Sequence, residues 1–173
     1  MKTKTINVYE FSELSDKAKE NAISNYITYF EYGWGDEAIK SVEAFCEHFG
    51  CTVNNYSIDF LEPNRNNFSI SYAELEDGEI ESLLNELGDY NKDTFKGLGD
   101  CKLTGVCFDE DVIDGFRTAW FNGERDLREL ISEGISEWES SVRSDAEYQI
   151  SEEGFADHCD CNNIEFNKEG EMI

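Results

Sequence analysis

The sequence predicts an α+β fold in which a small antiparallel sheet packs with several helices and the C-terminal half is rich in helix. The length of 173 residues suits a single domain. The composition, 39% hydrophobic and 13% aromatic, is sufficient to fill a core. Alternating, β-like stretches occur in few places, whereas apolar residues at helical spacing fill most of the remainder. We therefore predict one domain over 1–173, with a possible subdivision into 1–90 and 91–173.

The first fifty residues are predicted to form a strand and two helices. Residues 3–11 alternate and are rich in β-branched side chains, as is typical of a strand. Ser12 or Ser15 is placed to cap a helix whose apolar face runs from Ala18 to Phe30. A second helix follows, and Gly50 is suited to end it.

A hairpin and a short helix complete the first half. Residues 51–60 and 67–72 favour two strands, and the loop between them contains the only proline, Pro63. Residues 78–90 carry leucines and an isoleucine at helical spacing. This order, strand, two helices and hairpin, defines the proposed 1–90 subdivision.

The second half is predicted to be mostly helical. Residues 91–107 are rich in glycine and loop-like, and a helix follows with an apolar face over 112–121. Residues 124–150 favour one long helix in which Gly134 is a weak point. A further helical turn and a small hairpin over 163–173 end the chain.

The formal net charge of −25 is the main functional observation. The chain has 39 Asp and Glu against 14 Lys and Arg, and the basic residues are scattered. Such a chain is repelled by nucleic acid and by anionic membranes, so neither is expected as a direct partner. A basic protein is instead attracted at long range, which favours a protein–protein interaction.

Catalysis, cofactors and metals have little support. The chain has two histidines, His48 and His158, and lacks the glycine, serine and zinc motifs of common enzyme classes. Six cysteines occur without Cys-x-x-Cys spacing, which favours reduced thiols over a zinc site. No apolar segment has the length of a membrane span or a secretion signal, so we expect a cytoplasmic protein.

Two groups of acidic residues are the candidate partner-binding sites. Glu129, Glu133 and Glu137 recur every four residues and therefore line one side of the predicted long helix. They are either a solvated helix face or a ladder of charges that imitates phosphates.

The second group is Asp109, Glu110 and Asp111, which open a helix where the dipole favours acids. A calcium-binding loop starting at Asp109 fails, because Asp114 and Trp120 occupy the positions that need glycine and glutamate.

Four segments resemble parts of small acidic proteins of phages and other mobile elements, which are often labelled as antitoxins. They are VYEFSELSDKAK from Val8, DEAIKSVEAF from Asp36, LTGVCFDED from Leu103 and EFNKEG from Glu165. The resemblance covers most of the chain. The sequence is also similar to type II anti-CRISPR proteins, which implies an inhibitor of an RNA-guided effector nuclease.

The resemblance implies a specific partner, a CRISPR nuclease with its guide RNA. Such nucleases hold nucleic acid in positively charged channels, where carboxylates can replace phosphates as partners of Arg and Lys. The alternatives are an antitoxin-like protein that neutralises a basic toxin or another host protein and, from another class, a zinc-dependent enzyme. The predicted helix over 112–121 is rich in aromatic residues and could also serve as the interface of a homodimer.

Overall fold

The structure is a computed structural model that describes residues 7–62, 66–87, 103–105 and 108–173. Its helices and strands confirm the α+β class, with an antiparallel pair of strands and a helix-rich C-terminal half. A 3₁₀ helix spans Phe11–Glu13, and the further elements are α1 (Asp16–Thr28), α2 (Gly35–His48), β1 (Thr52–Ser57), β2 (Asn67–Ser71), α3 (Asp77–Glu86), α4 (Phe108–Phe121), α5 (Leu127–Gln149) and α6 (Glu152–Asn162).

The predicted start of α1 at Ser15 and the predicted end of α2 at Gly50 are confirmed. The Ser15 hydroxyl accepts a hydrogen bond from the backbone N–H of Ala18 and so caps α1. Gly50 follows α2 with a φ of +70°, a left-handed conformation that glycine adopts without steric cost. The backbone N–H of Cys51 then donates to the Cys46 carbonyl at 2.8 Å, which satisfies one of the last helical acceptors.

The hairpin is confirmed, and its two strands contain an irregularity. Val53 pairs with Ile70 and Tyr56 with Phe68 in an antiparallel register. The register shifts between Val53 and Asn55, as at a β-bulge, which places an extra residue in β1. Pro63 lies outside the described residues.

The prediction of a strand over 3–11 is wrong for residues 7–11, which form no strand. Residues 3–6 lie outside the described part of the chain. Tyr9 makes an isolated β-bridge with Phe166, with two backbone hydrogen bonds of 2.9 Å, and the chain then turns into the 3₁₀ helix. This turn directs the Phe11 ring into the core, edge-on to Phe155 at a centroid distance of 5.1 Å. The predicted terminal hairpin is similarly short, with a bridge between Phe166 and Met172.

The chain forms two compact units. The terminal unit comprises the described part of Met1–Tyr32 together with Asp145–Ile173, and the central unit comprises the described part of Gly33–Ser144. These boundaries differ from the subdivision at residue 90, because the N-terminal helix and the C-terminal helix share one core. That core contains Phe11, Leu14, Ala18, Ala22, Phe155, Cys159 and Phe166.

The central unit has an aromatic core of its own. Phe45, Phe49 and Phe116 meet with ring centroids 4.5–5.4 Å apart, and all three are fully buried. Trp138 of α5 is also fully buried and lies against Phe68 of β2 at 5.6 Å. Aromatic contacts of this kind add to the free energy gained by burying apolar area. They hold α2 against α4, and the central unit's part of α5 against the hairpin.

Candidate functional site

Helices α4 and α5 approach each other through two glycines. A Cβ atom built on Gly115 would lie 2.6 Å from the Glu133 carbonyl oxygen and 2.9 Å from the Gly134 Cα atom. One built on Gly134 would lie 2.7 Å from the Val112 carbonyl oxygen. The sequence marks Gly134 as a weak point, but α5 is continuous there. The glycine instead permits the two backbones to pack closely.

An open cleft of about 850 Å³ lies between the two helices, and we call it the acidic cleft. Its lining comes from α4, the turn after it and α5, and comprises Asp114, Gly115, Arg117, Thr118, Ala119, Phe121, Asn122, Glu124, Glu129, Glu133, Ser136 and Glu137. Among these described residues five are carboxylates and one is an arginine. The cleft therefore concentrates negative charge on a concave surface, where fields are focused.

The predicted row of Glu129, Glu133 and Glu137 forms one wall of this cleft. All three side chains are exposed, and all three line the cleft as their four-residue spacing predicts. Within the described residues none of them makes a side-chain hydrogen bond or ion pair. Their carboxylates are thus accessible to cations of a partner.

The second predicted group is divided by the fold. Asp109 is 1% exposed and accepts hydrogen bonds from the Thr104 backbone N–H at 3.0 Å, the Thr104 hydroxyl at 2.7 Å and the Gly105 N–H at 2.8 Å. Its carboxylate holds the preceding segment against α4, so the assignment of Asp109 to a partner surface is corrected. Glu110 and Asp111 are half-buried in the first turn of α4 and are not part of the cleft lining.

Two acidic residues and an aromatic residue of the cleft were not predicted as site residues. Asp114 and Phe121 share one face of α4, seven residues apart, and Glu124 follows in the turn. Backbone N–H groups of Asp126 and Arg125 donate to Glu124 and lower the pKa of its carboxyl group, which keeps it ionised. The seven-residue spacing of Asp114 and Phe121 places both on one side of α4, and this spacing is the sequence signal for a second wall of the cleft.

Phe121 and its neighbour Trp120 have opposite environments. Phe121 is 81% exposed at the end of α4. Trp120 is 8% exposed, and the guanidinium of Arg125 covers its ring at 4.0 Å from the centroid. The cleft therefore has one large apolar side chain open to solvent beside its carboxylates.

In the described residues no three side chains of His, Cys, Asp or Glu are grouped as metal ligands, and Cys101 and Cys107 lie outside that part of the chain. His48 is engaged elsewhere, since its Nε2 lies 2.8 Å from the Leu83 carbonyl oxygen. None of the described helices combines the length and the apolar character needed to cross a membrane.

Neither a protein-family model, nor a curated protein, nor a solved structure matches this chain.

Proposed function

We propose that this protein inhibits an RNA-guided effector nuclease by binding arginine and lysine side chains of its basic surface in the acidic cleft. The observation that carries the proposal is the convergence of five carboxylates on one cleft of the central unit. Acidic residues also occur over the rest of the chain, so charge alone identifies no site. The cleft differs because its charges line one concavity.

The spacing of the row favours recognition of separate cationic side chains. Residues four apart on a helix are separated by about 6 Å along its axis. A strand of duplex DNA carries a phosphate about every 3.4 Å along the axis. Glu129, Glu133 and Glu137 therefore have a lower charge density than a DNA strand. Asp114 of α4 and Glu124 of the turn after α4 add to it. Each carboxylate suits one guanidinium or ammonium group.

The choice of nuclease as the partner rests on the resemblance to anti-CRISPR proteins. A nuclease of this class presents arginines and lysines in channels that hold nucleic acid. A rigid acidic cleft would occupy such cations and exclude phosphate from them. An antitoxin-like protein would use the same cleft against a basic toxin.

A cleavage assay with purified nuclease, guide RNA and target DNA tests the proposal. We expect the chain to block cleavage or DNA binding, with weaker inhibition as ionic strength rises. The triple variant Glu129→Gln, Glu133→Gln, Glu137→Gln should reduce inhibition at least tenfold, since each ion pair contributes about 0.5–1 kcal/mol or more at an interface.

The matched control is Glu43→Gln, Glu47→Gln, Glu81→Gln, which removes the same charge from exposed positions outside the cleft. Equal loss of inhibition in both triple variants would show that net charge acts, and the cleft proposal would be wrong. Absence of any nuclease binding, together with capture of a small basic toxin in a pull-down, would favour the antitoxin-like alternative.

A further inference from the structure

Phe121 is an exposed aromatic side chain among the residues that line the acidic cleft. Single exposed apolar residues are common on protein surfaces and need no explanation by themselves. Phe121, however, lines the acidic cleft and leaves 81% of its surface in solvent. Aromatic side chains at the centre of interfaces are frequent binding anchors. Because the other side chains of the cleft include five carboxylates, the group that Phe121 binds is expected to be a cation.

The central unit itself shows how a guanidinium uses such a combination. Arg125 lies over the Trp120 ring at 4.0 Å, and its Nε is 3.9 Å from the Asp77 carboxylate. Arg128 lies over the Tyr72 ring at 4.9 Å. In the first pair, the guanidinium lies over an aromatic ring while its edge donates hydrogen bonds to the carbonyl oxygens of Trp120 and Glu124 and lies near an acid.

Arginine and lysine differ in this respect. A guanidinium is planar and weakly hydrated, so it stacks on a ring and still offers N–H groups at its edge to a carboxylate. An ammonium is a compact, strongly hydrated point charge. In the terminal unit, Lys19 Nζ lies farther from its aromatic partner Phe11, at 5.4 Å. A phenyl ring beside several carboxylates is therefore better matched to arginine.

We infer that the acidic cleft is selective for arginine over lysine, with the Phe121 ring receiving a guanidinium whose N–H groups bind carboxylates of the cleft. This inference rests on the proposed function and adds the chemical identity of the bound side chain. The partner segment is then one that presents arginine to the C-terminal end of α4.

Two synthetic peptides test the selectivity. They have the same length and charge and differ only in carrying arginine or lysine at the basic positions, separated by glycine and serine. Their dissociation constants for the full chain are measured by calorimetry at low salt. We expect the arginine peptide to bind about three- to tenfold more tightly. The variant Phe121→Leu, which keeps apolar bulk but removes the ring, should abolish that difference by weakening the arginine peptide alone.

The control variant is Tyr29→Leu, which removes an aromatic ring that is 84% exposed in the terminal unit. It should leave both affinities unchanged, and circular dichroism should show both variants folded. Equal affinity of the two peptides for the unaltered chain, or equal weakening of both by Phe121→Leu, overturns the arginine selectivity while leaving the acidic cleft as a cation site. Failure of both peptides to bind overturns the proposed function itself.

Discussion

The indole N–H of Trp138 in α5 donates a hydrogen bond to the backbone carbonyl of Ala38 in α2, at 2.9 Å in a fully buried environment. Trp138 directly follows Glu137, the last residue of the acidic row. Successive residues on a helix point about 100° apart, so one is directed into the core while the other lines the cleft. The hydrogen bond therefore fixes the rotation of α5 that exposes the row.

Replacing Trp138 by phenylalanine tests this anchor. The variant Trp138→Phe loses the buried hydrogen bond and part of the contact with Phe68, so we expect the free energy of unfolding to fall by about 2 kcal/mol. Urea denaturation followed by circular dichroism measures the change. Trp34→Phe is the control, because Trp34 is 56% exposed and its replacement should change stability by less than about 0.5 kcal/mol. Equal effects would contradict a specific role for Trp138.

The glycine crossing of α4 and α5 gives a second prediction. Gly115→Ala or Gly134→Ala places a methyl group within 3 Å of backbone atoms of the opposite helix, which must move apart. We expect each variant to lose about 1–3 kcal/mol of unfolding free energy, although alanine is the better helix former.

Gly78→Ala provides the matched comparison for both variants. Gly78 lies in α3, and a Cβ atom there meets nothing within 4 Å. This variant should be neutral or more stable by up to about 1 kcal/mol. Stabilisation by Gly115→Ala would show that the helices do not pack through this contact. Thermal unfolding of the three variants side by side makes the comparison.

The corrected residue Asp109 is predicted to act on stability and not on binding. Asp109→Ala leaves the N–H groups of Thr104 and Gly105 without their acceptor, so the unfolding free energy should fall by about 2–3 kcal/mol. Asp36→Ala removes an exposed acid from the first turn of α2 and should cost less than about 1 kcal/mol. Binding by the folded Asp109→Ala variant should keep the salt dependence of the unaltered chain. A weaker salt dependence in that variant would restore Asp109 to the partner surface.

Local sequence patterns predicted correctly those features that depend on a single helix. Glu129, Glu133 and Glu137 share a wall of the cleft because residues four apart lie on one side of any α-helix. The cap at Ser15 and the stop at Gly50 follow from equally local chemistry. None of these predictions required knowledge of the partner helix.

The features that local sequence patterns did not predict depend on tertiary contacts. The helix dipole explains acids at the start of α4, but it does not indicate that Asp109 turns inward to bind the segment at residues 104–105. The close approach at Gly115 and Gly134 depends on two helices at once, so the pattern of neither helix alone predicts it. The pairing of the N-terminal and C-terminal segments through Tyr9 and Phe166 is likewise non-local.

The cysteines provide the last prediction, because burial separates their reactivities. Burial raises the pKa of Cys46 to about 12, with smaller contributions from Cys51 and Glu43. Burial and then Asp160 raise the pKa of Cys159 to about 11. Since the thiolate is the nucleophile, near pH 8 these two thiols are ionised in only about one molecule in ten thousand and one in a thousand. Cys161 is exposed.

Timed alkylation near pH 8 with peptide mapping should therefore label Cys161 at least a hundredfold faster than Cys46 or Cys159. Raising the pH increases the thiolate fraction of the buried cysteines, so their labelling should accelerate toward pH 11 while the chain stays folded. In concentrated urea the difference should disappear, because unfolding returns each thiol to its ordinary pKa. If Cys46 in the folded chain reacts as fast as Cys161, the end of α2 opens to solvent, and the packing that holds the central unit together is weaker than its buried aromatic contacts indicate.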